Sequence, residues 1–236
     1  MKKTLLAGAA TVLVLGLGMA NANAGVMTHL SNPTDVAIID DNYDGTLASM
    51  QSSVITVAGG LGAVELVEVS IGMDHTWVGD LTIKLQSPTG TVVTLLNRPG
   101  SPAPDNGTGP NGDSSNLSAL FPIMYRDSSL NDAEAMGNTI VDSAIIGDPG
   151  NGSPADYFPS ADTATPGTFA TFITEASGGS WTLYIGDSAT GDVGTLDKWE
   201  LWITTADSTK VPEPGTLGVL GLGLAGLAAM RRRRKA

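Results

Sequence analysis

Along most of the chain, apolar and polar residues alternate with a period of two rather than 3.6, the pattern of strands buried on one face. In LTIKLQ at 81–86, Leu81, Ile83 and Leu85 share one face, and Ser87-Pro88-Thr89-Gly90 supplies turn formers before TVVTLL at 91–96. That arrangement predicts a β-hairpin. Further on, Trp181, Leu183 and Ile185 alternate with Thr182 and Tyr184, and Trp199, Leu201 and Ile203 alternate with Glu200, Trp202 and Thr204. Two more strands are expected there, joined by the loop DSATGDVG at 187–194, rich in turn formers and carboxylates. Helical periodicity is scarce, so the expected fold class is all-β, a sandwich or jelly roll. Residues 98–168 predict long loops of the same domain, with brief strands or helical turns around 117–125 and 133–146.

Both ends break the pattern. Lys2 and Lys3 precede an apolar run at 5–19 and the small residues Ala20, Ala22 and Ala24, which predicts a secretory signal peptide over 1–24, cleaved after Ala24 or Ala22. At the other end an apolar run at 216–230, spaced with glycines, meets Arg231, Arg232, Arg233, Arg234 and Lys235. As a helix this run is about 22 Å long, a thin span for a hydrocarbon core of about 30 Å. The basic cluster places its far end in the cytoplasm, and Pro212 and Pro214 prevent an earlier helix start. The chain is therefore expected to be exported through the inner membrane and held by a C-terminal transmembrane helix.

Removing the two ends sharpens the charge. Residues 25–210 carry 23 acidic and five basic side chains. Such a surface repels nucleic acid and anionic lipid, and loops rich in Asp suit a hard, oxygen-seeking cation such as calcium. The 236 residues include no cysteine, which excludes disulfides and thiolate chemistry. Two histidines are present: His29, in a short lead segment at 25–35, and His75. No G-x-S-x-G elbow, H-E-x-x-H pair or P-loop accompanies them, so no catalytic residue is assigned.

Several separated motifs then occur in order: DHTWVGDL at 74–81, LQSPTGT at 85–91, YFP at 157–159, GSWTL at 179–183, Asp187, GDVGTL at 191–196 and WEL at 199–201. Together they resemble the P domain of proprotein convertases over about 36–205, nearly all of the mature chain. The resemblance implies a jelly-roll β-sandwich over 36–206, commonly found C-terminal to a subtilisin-like serine endopeptidase domain that it helps to fold or stabilise, often with bound calcium. It places Asp80, Asp127 and Asp187 at matching acidic positions as metal ligands, with Asp74 and Asp192 as additional candidates. The convertases carry a protease domain before the P domain, whereas here about ten residues separate it from the signal peptide. DDNYDG at 40–45 fits the first half of an EF-hand loop, but its twelfth position is Gln51, so it is read as the turn into the first strand.

The tail resembles a PEP-CTERM sorting signal over 207–236, with Val211-Pro212-Glu213-Pro214 as its signature. That resemblance implies an exosortase-type processing enzyme that removes the tail during delivery to the surface or to extracellular polymer. The expected function is that of an exported, non-catalytic surface or extracellular-matrix protein with a calcium-stabilised jelly roll. Two alternatives remain: an accessory module for a separately encoded subtilisin-like protease, or a polysaccharide-binding domain using Trp202, which faces away from the core strand positions and could stack on sugar.

Overall fold

A computed structural model describes residues 26–33, 35–100, 112–161 and 165–206. The signal peptide with Ala22 and Ala24, and the sorting segment with Val211, Pro212, Glu213 and Pro214, lie outside the described residues. Among the described residues no helix is long and apolar enough to cross a membrane.

Among the described residues, ten strands form two sheets. The first contains β1 (Val26–Asn32), β2 (Val36–Ile38), β4 (Val64–His75), β7 (Ile123–Tyr125), β8 (Asp156–Tyr157) and β10 (Gly194–Thr205). Its order is β1-β10-β4-β7-β8, and β2 pairs with β10 beyond the end of β1. The second has the order β3 (Gln51–Val57), β9 (Gly179–Asp187), β5 (Leu81–Gln86) and β6 (Val92–Asn97). Between these strands every pairing is antiparallel except the short β7–β8 contact. The chain changes sheet after β2, β3, β4, β6, β8 and β9, which wraps one sheet over the other as in a jelly roll.

The alternation seen in the sequence decides which side chains fill the space between the sheets. Leu81, Ile83 and Leu85 of β5, Trp181, Leu183 and Ile185 of β9, and Trp199, Leu201 and Ile203 of β10 are all buried. The hairpin at 81–96 forms as β5 and β6, with an irregularity between Ile83 and Lys84. The two sheets are also joined by polar contacts. Ser53 of β3 accepts from Trp199 Nε1 and from the Asn32 side chain, both at 3.0 Å, so the buried indole N–H has a partner.

Two sequence expectations are corrected. The lead segment at 25–35 is not separate from the sandwich: Val26–Asn32 is β1, paired with β10 along its whole length from Val26 against Thr205 to Asn32 against Trp199. The reason is that the outer flank of β10 needs a hydrogen-bonding partner, and β1 supplies one. The second correction concerns 40–45, which turns from β2 toward β3 rather than into the first strand. It is a loop pinned to the body: Asp44 Oδ1 accepts from the Thr46 N–H and hydroxyl, and the Asp40 carboxylate accepts from the Gly191 N–H at 3.1 Å.

Candidate cation-binding site

Three chain segments meet where β4 ends, β5 begins and β9 ends. His75 closes β4, a 3-10 turn at Val78–Asp80 leads into β5, and Asp187 closes β9 opposite Leu81. The Tyr43 N–H donates to the Asp187 carbonyl at 2.8 Å, and the Ser188 N–H donates to the Asp80 carbonyl at 3.0 Å. These bonds hold the loop at 40–45 and the loop after β9 against the turn. Two glycines permit the approach. A Cβ on Gly186 would stand 2.7 Å from the Tyr43 ring, and one on Gly194 would stand 2.5 Å from His75 Cδ2.

His75 Nε2 lies 2.9 Å from Asp187 Oδ2, and neither side chain is exposed. The Trp77 N–H donates to His75 Nδ1 at 3.2 Å. Nδ1 is thus the acceptor nitrogen, and the ring hydrogen sits on Nε2, directed at Asp187. The second Asp187 oxygen accepts from the Ala189 N–H at 3.0 Å. Both ring nitrogens are engaged, which makes His75 a pin between β4 and β9 and leaves it no free lone pair for relaying a proton.

Asp80 is different. Its side chain is buried, 1 % exposed, yet neither carboxylate oxygen has a hydrogen-bond partner. Burial pushes its pKa up to about 6, aided by the neighbouring charges of Asp187 and Asp192 and opposed by Arg98 and His75. Two other buried groups of the same segments, Trp77 Nε1 and Ser188 Oγ, also lack partners. Arg98 sits behind the turn, 2 % exposed, and donates from Nε to the Gly79 carbonyl at 3.2 Å. Its backbone has φ +46°, the left-handed region.

The acids singled out in the sequence divide accordingly. Asp80 and Asp187 come together with Asp192 near enough to raise the Asp80 pKa. Asp192 Oδ1 accepts from the Thr76 hydroxyl at 2.6 Å. Asp74 is exposed and accepts from the Ala119 N–H at 3.0 Å. Asp127 stands apart from these acids. It follows β7, whose register runs along β4 away from His75. Its carboxylate is occupied by the Phe169 and Ala170 N–H groups and the Thr168 hydroxyl, each at 2.9 Å. It caps a 3-10 turn at Phe169–Phe172. Among the described residues no three His, Asp or Glu side chains converge as metal ligands.

The unpartnered Asp80 oxygens nevertheless fit a cation, since a buried carboxylate without a donor is costly unless its charge is met. Calcium takes carboxylate, hydroxyl, carbonyl and water oxygens together. Sequence reasoning reached Asp80 and Asp187 but missed Arg98 and Ser188 as neighbours, because nothing in their local pattern announces burial. Trp202 is half-buried, and its indole is stacked on the His29 ring, with centroids 4.4 Å apart and planes at 7°. His29 Nε2 also meets Glu200 Oε1 at 3.4 Å. One face of Trp202 is therefore already covered.

Residues 64–148 and 150–203 match the model of the proprotein convertase P-domain, and residues 210–234 match the PEP-CTERM protein-sorting motif. No curated protein matches the chain. Among solved structures, the complex of the Aeromonas sobria serine protease with its chaperone is similar at 20 % identity and TM-score 0.40, covering 78 % of this chain and 28 % of that one. The serine protease of Aeromonas sobria is similar at 18 % identity and TM-score 0.39, covering 76 % of this chain and 27 % of that one. The chain thus spans less than a third of the length of either.

Proposed function

The chain belongs to the proprotein convertase P-domain family, and on that premise we propose that it is an exported, non-catalytic protein of the cell surface or extracellular polymer. A PEP-CTERM tail implies delivery through a transient membrane anchor and processing by an exosortase-type enzyme. The observation that carries this reading is the direct succession of the two units in one chain: the P-domain match ends at 203 and the sorting match begins at 210. In this role the sandwich is the cargo and the tail is the address.

Calcium is the proposed stabilising ligand, centred on Asp80 with oxygen atoms of Ser188 and Asp192 as further donors. Support comes from the two buried carboxylate oxygens that lack any donor. When bound, the ion supplies positive charge where Asp80, Asp187 and Asp192 accumulate negative charge. Arg98 offsets part of that charge, and His75 fixes Asp187 so that its own oxygens stay committed to the fold.

An accessory role toward a separately encoded subtilisin-like protease is a second reading, favoured by the family membership. The intact mass of the protein recovered from its host cell envelope tests the main proposal. Loss of the chain beyond about Pro214 is expected, whereas a mature protein retaining Arg231 to Lys235 would refute processing. Co-purification of a serine protease with the same material would favour the accessory role.

A further inference from the structure

The sandwich has two chemically different ends, and Val26 and Thr205 lie at the same one. In one row, Val26 pairs with Thr205, and Thr205 pairs on its other side with Val64. The first described residue of the chain and the last strand residue before the tail are thus neighbours. At the opposite end of β10, Gly194 pairs with His75 and Thr195 with Asp74, beside Asp40, Asp80, Asp187 and Asp192. β10 has 12 residues, so the two ends are separated by about 35 Å at 3.3 Å per residue.

The end that carries Val26 and Thr205 also carries an exposed apolar rim. Val26 is 44 %, Met27 68 %, Leu66 45 % and Ile173 45 % exposed. Met27 and Leu66 flank Thr204 in one row on the outer face of the sheet, and Ile173 precedes Thr174, whose N–H donates to the Val64 carbonyl. Exposed apolar residues occur at the acidic end too, at Ile39 and Val193, but they lie among Asp40, Asp41 and Asp192. Bringing those carboxylates against a low-dielectric surface is unfavourable.

We propose that this rim rests on the lipid surface in which the chain's own C-terminal segment is anchored, so that the acidic, Asp80-bearing end faces away from the membrane. The inference rests on the anchoring reading given above. Thr216, where the apolar run begins, lies 11 positions after Thr205, a reach of at most about 38 Å and on average about half that. A tether this short holds the end that emits it near the bilayer. It also keeps the effective concentration of the rim at the surface high, so a small apolar patch suffices. The fitting surface is zwitterionic, since Glu65 and Glu68 border the rim and the body carries an excess of acids.

The chain has no native cysteine, which allows single labels. Met27→Cys and Val193→Cys variants of the full-length chain, each carrying a fluorophore, are reconstituted in phosphatidylcholine vesicles containing nitroxide-headgroup lipid. Several-fold stronger quenching at position 27 than at 193 is expected. Adding Leu66→Asp and Ile173→Asp should bring the two signals together without changing the melting temperature. Co-flotation with vesicles but equal quenching at both positions would overturn the orientation while leaving the anchoring intact. Failure to co-float would remove the anchoring and the orientation with it. A label at 27 that is shielded from aqueous quencher but untouched by the nitroxide lipid would assign the rim to a second copy of the chain and overturn the proposal.

Discussion

His75 and Asp187, 112 positions apart in the sequence, meet through a 2.9 Å contact from which solvent is wholly excluded. The contact joins the end of β4 in one sheet to the end of β9 in the other, at the base of the loops that carry Asp80 and Asp192. Replacing one partner leaves the other's polar atoms buried and unsatisfied. His75→Ala is expected to cost about 3 kcal/mol or more of unfolding free energy, read by urea denaturation. A loss below about 1 kcal/mol would show that the pair does not hold the sheets together.

Asp80 should make the stability of the calcium-free protein depend on pH. Its folded pKa is near 6, raised above the ordinary value of 3.8, so between those values the folded state holds more protons than the unfolded one. This stabilising contribution is full below about pH 4 and is lost as pH rises through about 6, amounting to roughly 2–3 kcal/mol. In chelator, Asp80→Asn should abolish that slope and be more stable than the parent at pH 7.5. Parallel pH profiles for the two proteins would contradict the assignment.

Calcium should reverse that ranking. A ligand bound only by the folded state raises the melting temperature by mass action, and at millimolar calcium the parent is expected to gain several degrees while Asp80→Asn gains nothing. Identical melting curves with calcium and with chelator would dispose of the metal site.

Asp127 serves as the control for that experiment. Its three donors belong to the turn at Phe169–Phe172, so Asp127→Ala should lose about 1 kcal/mol through the missing cap and keep the full calcium response. A lost calcium response with an intact fold would place Asp127 back among the ligands.

His29 and Trp202 provide an optical report on β1. Their parallel stack at 4.4 Å exists only while β1 pairs with β10. His29→Ala should uncover the indole, shift its emission to longer wavelength and increase its quenching by acrylamide, with a stability loss near 1 kcal/mol. Unchanged emission would mean that β1 does not cover Trp202 in solution.

Much of the architecture is legible in the residues because strand pattern is local. β5, β9 and β10 each announce themselves by alternation, since one face of each meets the same apolar interior, and β6 follows from the turn formers at 87–90 and the apolar run behind them. β1 is obscure for the converse reason. None of its residues is buried, so its hydrophobicity carries little signal, and it becomes a strand because β10 offers unpaired backbone groups. β4 carries the same alternation, with Val67, Val69, Ile71 and Met73 buried in the core and Glu68, Ser70 and Gly72 on the opposite face. The connections at 98–168 follow turn chemistry and tertiary bonds rather than a period.

What the amino-acid sequence by itself determined is the all-β class, the four clearest strands, the motifs that mark the family, and the acidic side chains from which a cation site could be drawn. Only the folded chain decided which acids share a site. Asp80 and Asp187 converge because the ends of β5 and β9 are paired, while Asp127 is spent on a neighbouring turn. It alone also set Val26 beside Thr205 at one end of β10 and Asp80, Asp187 and Asp192 at the other, since antiparallel register, a relation between distant segments, fixes where each strand terminates. Local pattern encodes which face a residue turns inward; proximity across a hundred positions is encoded only by packing.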